Sequence, residues 1–268
     1  MKNKFDGWLL VSDMDATLLR SDHSISEKNK RAIDYFTQNG GLFTVATGRM
    51  VPAVRAYMPR LSINAPAILH NGAKLYDYAT ETAIFEKFIE EERKAAIRKA
   101  YDAFPELGIE IYANEIVYIY KTCEETKRFL TRNYKVVYEM PEEVWREKWI
   151  KVLLIGEREL LDKYEPIYRE KFDQGYAVRS GDKFLDIVSG GISKGDTMVH
   201  LADTLGISHD KIIAVGDNMN DISMLEKTGI SYAVENAEEA AKQAARYIAP
   251  SNNDDAIAYI IENILMKQ

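Results

Sequence analysis

Cysteine is nearly absent from this chain: Cys123 is the only one in 268 residues. No internal disulfide can therefore form, which fits a reducing compartment. Nothing around Cys123 marks its thiol as activated, and it reads as a bystander. Histidine is also scarce. His23, His70, His200 and His209 are scattered, with no metal-ligand spacing among them. His70 reads as a turn residue and the other three as surface or helix positions. Long apolar runs are missing too. Met1 to Gly7 is polar, and the run after it is only about five residues long, too short for the apolar part of a signal peptide. No stretch approaches the roughly 18 to 20 apolar residues of a membrane span. Positive charge is in deficit, with 35 basic against 42 acidic side chains and a net charge of −7, which argues against a nucleic-acid surface. No internal repeat or low-complexity tract is evident. A cytoplasmic protein is expected, acting without membrane or nucleic acid, as a monomer or small homo-oligomer.

Short apolar runs alternating with helical patterns fill the two ends of the chain. "WLLVSD" (8–13) reads as a buried strand, and "SEKNKRAIDYFTQNGG" (26–41) as a helix capped by Ser26 and stopped by Gly40. "LFTVATG" (42–48) is a second strand, "MVPAVRAYMPRL" (50–61) a short helix, and "PAILHNGA" (66–73) a third strand and turn. After Ile192 the style returns. A helix over 193–206 ends at Gly206, a strand over 211–217 closes in an aspartate, and 221–229, 230–237 and 254–267 read as helix, strand and helix. Continuously apolar strands joined through helices indicate parallel βαβ units with both sheet faces covered.

The middle follows another rule. "GIEIYANEIVYIYK" (108–121) alternates with period two about Asn114-Glu115, an antiparallel hairpin pattern. Strands are expected over 134–139, 149–156, 176–181 and 184–188, with helices over 90–104 and 157–172. Charged "EEERK" (90–94) reads as a solvated helix face. The expectation is a doubly wound, Rossmann-like α/β parallel-sheet core, residues 1–83 and 187–268, interrupted by an α+β domain over 84–186.

In open parallel sheets, ligands bind beyond the carboxyl ends of the strands. The polar residues there are Asp13 and Asp15, then Thr47-Gly48-Arg49, Asn71-Gly72, Asp217-Asn218 and Asn220-Asp221, with Lys194 at a helix start. Converging carboxylates repel unless a cation joins them, and hard oxygen donors without histidine or thiol suit Mg²⁺. Thr47, Lys194 and backbone N–H groups, such as those at Met14 and Gly48, suit phosphate oxygens. This set describes a phosphoryl-transfer site. Side chains at i and i+2 of an extended segment share a direction, so Asp13 can attack phosphorus while Asp15 carries the proton. That role calls for a raised pKa at Asp15.

The residues "DMDATLL" resemble the DxDGT motif of the haloacid dehalogenase superfamily. Thr47 in "VATGR", Lys194 in "SKGD" and "GDNMND" (216–221) are similar to its second, third and fourth motifs. "HNGA" (70–73) and "SNNDDAIA" (251–258) resemble the Cof-type, class IIB phosphatases, and the insert has the position and size of that branch's cap. The resemblance implies Mg²⁺-dependent hydrolysis of a small phosphorylated metabolite, such as a sugar phosphate, through an aspartyl-phosphate. It implies Asp13 as nucleophile and metal ligand, and Asp15 as acid/base giving its carbonyl to the metal. Asp217 is then a further metal carboxylate, with Asn218 joining directly or through water. Thr47 and Lys194 are implied phosphate binders. Asn220 bonds phosphate or the nucleophile, and Asp221 holds Lys194 or a metal-bound water.

The sequence departs from the motif at Ala16, where glycine is usual. Alanine costs little there at negative φ and roughly 1 kcal/mol at positive φ; a tolerated change is expected. Two other readings use the same residues. Phosphomutases of the superfamily carry a small helical cap near the first motif, whereas only about 25 residues separate Asp15 from the second strand. Non-catalytic receiver modules gather similar residues around Mg²⁺ but are much shorter and have no large insert.

Overall fold

The computed structural model describes residues 3–131, 134–173 and 177–266. The first stretch holds β1 (Leu9–Ser12), α1 (Glu27–Gln38), β2 (Leu42–Val45), α2 (Val51–Arg55), β3 (Ala67–Leu69), β4 (Lys74–Asp77) and β5 (Thr82–Glu86). The middle holds α3 (Glu91–Ala103), β6 (Gly108–Ala113), β7 (Ile116–Lys121), β8 (Val136–Val137), β9 (Lys151–Ile155), α4 (Arg158–Lys171), β10 (Ala177–Arg179) and β11 (Phe184–Ile187). There follow α5 (Lys194–Leu205), β12 (Ile212–Gly216), α6 (Ile222–Glu226), β13 (Ile230–Val234), α7 (Glu239–Ala244), β14 (Tyr247–Ala249) and α8 (Ala256–Met266). They form two compact units, one of Met1–Arg49, Ala53–Phe85 and Ser193–Gln268, the other of Met50–Pro52 and Glu86–Ile192.

The first unit is built on a parallel sheet in the order β14-β13-β12-β1-β2. Leu9, Leu10 and Val11 of β1 and Ile212 to Val215 of β12 are fully buried, as continuously apolar strands require when both faces are covered. From β1 the chain winds to β2 on one side, and later from β12 through β13 to β14 on the other. Right-handed crossovers therefore put α1 and α6 on opposite faces. Between β1 and β12 the winding direction reverses, so the crevice beyond their carboxyl ends is a switch point.

Local chemistry sets the helix ends. Ser26 Oγ accepts from Asn29 N at 3.0 Å and Ser193 Oγ from Asp196 N at 3.1 Å, satisfying N–H groups otherwise orphaned. Gly206 (φ 67°) closes α5 in the left-handed conformation. The helix expected over 50–61 is only α2 followed by a tight turn at Met58–Arg60. Pro59 explains the break, since it offers no N–H and disfavours helix at the preceding residue. Four of these elements were not expected from the sequence. The antiparallel strand β4 pairs with β3 and leads to β5, and the short α7 and β14 complete the sheet edge.

In the second unit the sheet runs β10-β11-β9-β6-β7-β8, antiparallel except for β7 with β8. Asn114 (φ 53°) and Glu115 (φ 57°) turn the expected hairpin, both left-handed as a twisted two-residue turn demands. Ile111, Val152, Leu154 and Leu185 from alternate strand positions share a core with Ile97 of α3, Tyr168 of α4 and Trp149. The strand expected over 134–139 shrinks to β8, and Tyr176 of the one expected over 176–181 lies outside the described residues. The charged face expected at 90–94 is a correction: Arg93 and Lys94 are buried. Arg93 Nε pairs with Asp173 at 2.9 Å, and Lys94 Nζ donates to Glu147 O at 2.6 Å. Their long stems carry charge to internal acceptors, which period alone does not reveal. Among the described residues no helix is long and apolar enough to cross a membrane.

Candidate active site

The switch point delivers the acidic cluster. β1 ends at Ser12, and Asp13 N still donates to Val215 O of β12 at 2.8 Å, so the Asp13 carboxylate emerges beside the end of β12. Asp217 follows that strand directly. Carboxylate oxygens of Asp13, Asp217 and Asp221 all lie within 4.8 Å of one another, and the three residues are buried. Lys194 enters from the first turn of α5, wholly buried, with Nζ 2.6 Å from Asp13 Oδ1 and 2.7 Å from Asp221 Oδ1. Thr17 Oγ1 donates to Asp217 Oδ1 at 2.7 Å.

Asp221 has both oxygens engaged. Besides Lys194, it accepts Asp217 N at 2.9 Å and Asn218 N at 3.1 Å through Oδ2, closing the turn that follows β12. Gly216 is required there, because a Cβ on it would stand 2.5 Å from Asp221 Cβ.

Three buried carboxylates against one ammonium leave excess negative charge. Burial pushes Asp13 well above the usual carboxylate range; Lys194 opposes this, while Asp221, Asp217 and Asp15 add to it. Burial, then Asp221, pushes Asp217 up to about 7, against the pull of Thr17 and Lys194. Burial alone would discharge Lys194, but its two carboxylates outweigh that and hold its pKa above the ordinary lysine value. A hard divalent cation would relieve the excess. The donors are all oxygen, and because Asp221 is spent on Lys194 and the turn, Asp13 and Asp217 are the carboxylates placed to hold it.

Around the cluster stand the remaining predicted residues. Thr47 is buried after β2, its N–H donating to Ile68 O of β3 at 2.8 Å and its Oγ1 accepting Arg49 N at 3.2 Å. Asn220 is buried and donates through Nδ2 to Asn71 Oδ1 at 3.0 Å. Asn218 faces its own turn, with Oδ1 accepting Met219 N at 2.7 Å. Met14 is buried and its carbonyl accepts Leu19 N at 2.8 Å.

Asp15 differs from Asp13 in every respect. Its side chain is 51% exposed and is held by the Arg49 fork, Nη2 to Oδ1 at 2.6 Å and Nε to Oδ2 at 2.7 Å. Burial pulls its pKa upward, but the Arg49 hydrogen bonds and charge outweigh it and hold Asp15 below the usual range. The raised pKa expected for a proton carrier is thus not the resting condition.

Ala16 has φ 57° and ψ 9°, so the departure from glycine falls on a left-handed residue, with its carbonyl accepting Asn236 Nδ2 at 2.8 Å. From the sequence, Thr17 has no role of its own and Arg49 no named partner. Each stood within a quoted motif, but only the geometry reveals that one bonds Asp217 and the other Asp15.

Known proteins share this arrangement of chain. The family model of haloacid dehalogenase-like hydrolases matches residues 10–261. The 5-amino-6-(5-phospho-D-ribitylamino)uracil phosphatase YwtE of Bacillus subtilis is 27% identical over 97% of this chain and 98% of its own. TM0651 of Thermotoga maritima superposes with a TM-score of 0.79 at 28% identity, covering 96% of this chain and 97% of its own. The subclass IIB sugar phosphatase BT4131 shares the fold with a TM-score of 0.85 at 21% identity, over 97% and 99% of the two chains. The chain belongs to the haloacid dehalogenase-like hydrolases and is a phosphoric monoester hydrolase with the subclass IIB fold.

Proposed function

We propose that the chain hydrolyses a small phosphorylated metabolite with Mg²⁺, through an aspartyl-phosphate, an acyl phosphate formed on Asp13. The observation that carries this reading is the buried Asp13–Lys194–Asp221 chain beside Asp217 at the sheet's switch point. A carboxylate oxygen of Asp13 attacks phosphorus, the bond to the ester oxygen breaks, and the departing oxygen takes a proton from Asp15. Water then attacks the phosphoryl group and gives its proton to Asp15. The bond to Asp13 breaks and phosphate leaves. Asp13, Asp217 and the Asp15 carbonyl, with Asn218 nearby, would hold Mg²⁺, whose charge would offset that of the phosphoryl oxygens. Lys194 keeps Asp13 oriented, while Thr47, Asn220 and the N–H groups of Met14 and Gly48 receive the phosphoryl oxygens. Because the Arg49 fork keeps Asp15 ionised, that fork must release Asp15 before it can carry a proton.

A sugar phosphate is the substrate class we favour. YwtE is named for a phosphoribitylamino substrate and BT4131 as a sugar phosphatase, and net negative charge suits a small ester better than nucleic acid. Residues 84–186 are assigned the choice of leaving group. Asp13→Asn and chelation by EDTA should each abolish phosphate release from a panel of sugar phosphates. An undiminished rate for pure Asp13→Asn protein would sink the mechanism.

A further inference from the structure

Asn71 belongs to no step above, yet it lies where three motif loops meet. It occupies the His70–Gly72 turn after β3, in the left-handed conformation (φ 56°, ψ 33°). Asn71 N donates to Thr47 O at 3.0 Å and His70 N to Arg49 O at 3.2 Å. Thr197 Oγ1 of α5 donates to Gly72 O at 2.7 Å. Gly72 itself lies so close to α5 that a Cβ on it would stand 2.3 Å from Ser193 O. The Asn71 side chain extends the same junction to the loop after β12 by accepting Asn220 Nδ2.

That last bond fixes the amide. Its oxygen faces the Asn220 donor, so the Asn71 NH₂ points the other way. Asn71 is 1% exposed, and its Nδ2 has no hydrogen-bond partner among the described residues. The whole amide packs against Gly48, with Oδ1 3.2 Å and Nδ2 3.3 Å from where a Cβ on Gly48 would stand, so the unpaired donor lies beside the Thr47–Gly48 loop. A buried donor without an acceptor is costly, so such groups are normally paired.

We propose that Asn71 Nδ2 is a phosphate-binding donor, giving a hydrogen bond to a phosphoryl oxygen of the substrate and of product phosphate. This rests on the reading that Thr47, Gly48 and Asn220 surround that group. The unpaired donor is then completed by the ligand, and the amide is held ready for it by Asn220.

Asn71→Gly separates binding from backbone shape, because glycine adopts the left-handed conformation freely. Full-length protein with Mg²⁺ is titrated with inorganic phosphate, by calorimetry and as an inhibitor. For Asn71→Gly the phosphate Kd should rise about 10-fold or more, as expected for a lost hydrogen bond to a charged group, with a lowered unfolding midpoint because Asn220 Nδ2 also loses its acceptor. Asn71→Asp keeps an oxygen for Asn220, replaces the donor by negative charge, and should weaken phosphate further. It also serves if the glycine variant fails to fold. Phosphate binding within twofold of the parent in either folded variant overturns the proposal. A parent that binds no phosphate overturns it together with the phosphate site. Turnover by Asp13→Asn overturns the mechanism alone, since the binding assay does not depend on it.

Discussion

Replacing Ala16 by glycine should make the protein more stable. Ala16 stands at φ 57°, where an L-residue's Cβ crowds the following carbonyl at about 1–2 kcal/mol. Glycine removes that strain but gains freedom in the unfolded chain, which takes back about 0.4–1 kcal/mol. The Ala16 methyl is exposed, so its loss opens no cavity, and the Asn236 bond to the Ala16 carbonyl is untouched. The balance runs from about zero to a gain of about 1.6 kcal/mol, centred on ~0.8 kcal/mol or ~2–3 °C in Tm for a unit of this size. Urea titration of parent and Ala16→Gly side by side reads the midpoint. Ala16→Val should move it the other way, since a β-branched residue tolerates positive φ least. A glycine midpoint below the parent's would refute the strain argument.

Lys194→Met leaves Asp13 and Asp221 buried without their shared counter-charge; stability should fall by about 3–5 kcal/mol and turnover with it, and a parental urea midpoint would count against the network. Arg93→Met strands the buried Asp173 carboxylate in the second unit; a loss of ~3 kcal/mol is expected, read as a shifted urea transition. Glu90 is held below its usual pKa because the bonds it accepts from Ser189 Oγ and Gly190 N outweigh the upward push of burial. Its stabilisation is therefore complete above pH ~4.5 and lost as pH falls through its lowered pKa. With a side chain 41% exposed, Glu90→Gln should cost under ~1 kcal/mol at pH 7. The gap should close in acid, and one that persists there would contradict the assignment.

The strands of the first unit were legible because double-sided burial makes them continuously apolar, and their tips because polar residues interrupt those runs abruptly. Period two about Asn114-Glu115 located the hairpin for a similar reason. Short elements carried no such signal: α7 spans six residues and β14 three, too few for any period to emerge. Charge misled at Arg93 and Lys94, since composition does not register an acceptor 80 residues away at Asp173. In the site, residue types were readable but pairings were not. That Asp15 rests on Arg49, or that Ala16 is left-handed, depends on backbone angles that a motif does not state.

The place of β1 in the sheet also bears on how the chain is made. Its neighbours are β2, translated about 30 residues later, and β12, about 200 residues later. While the ribosome is still producing the middle segment, one edge of β1 carries unpaired backbone groups and its apolar faces lack half their cover, a state prone to misassociation. The middle segment brings its own core and can condense first. Asp13 meets Asp217 only once β12 has emerged, about 200 residues after β1, so the pairing that completes the sheet's centre also assembles the acidic cluster.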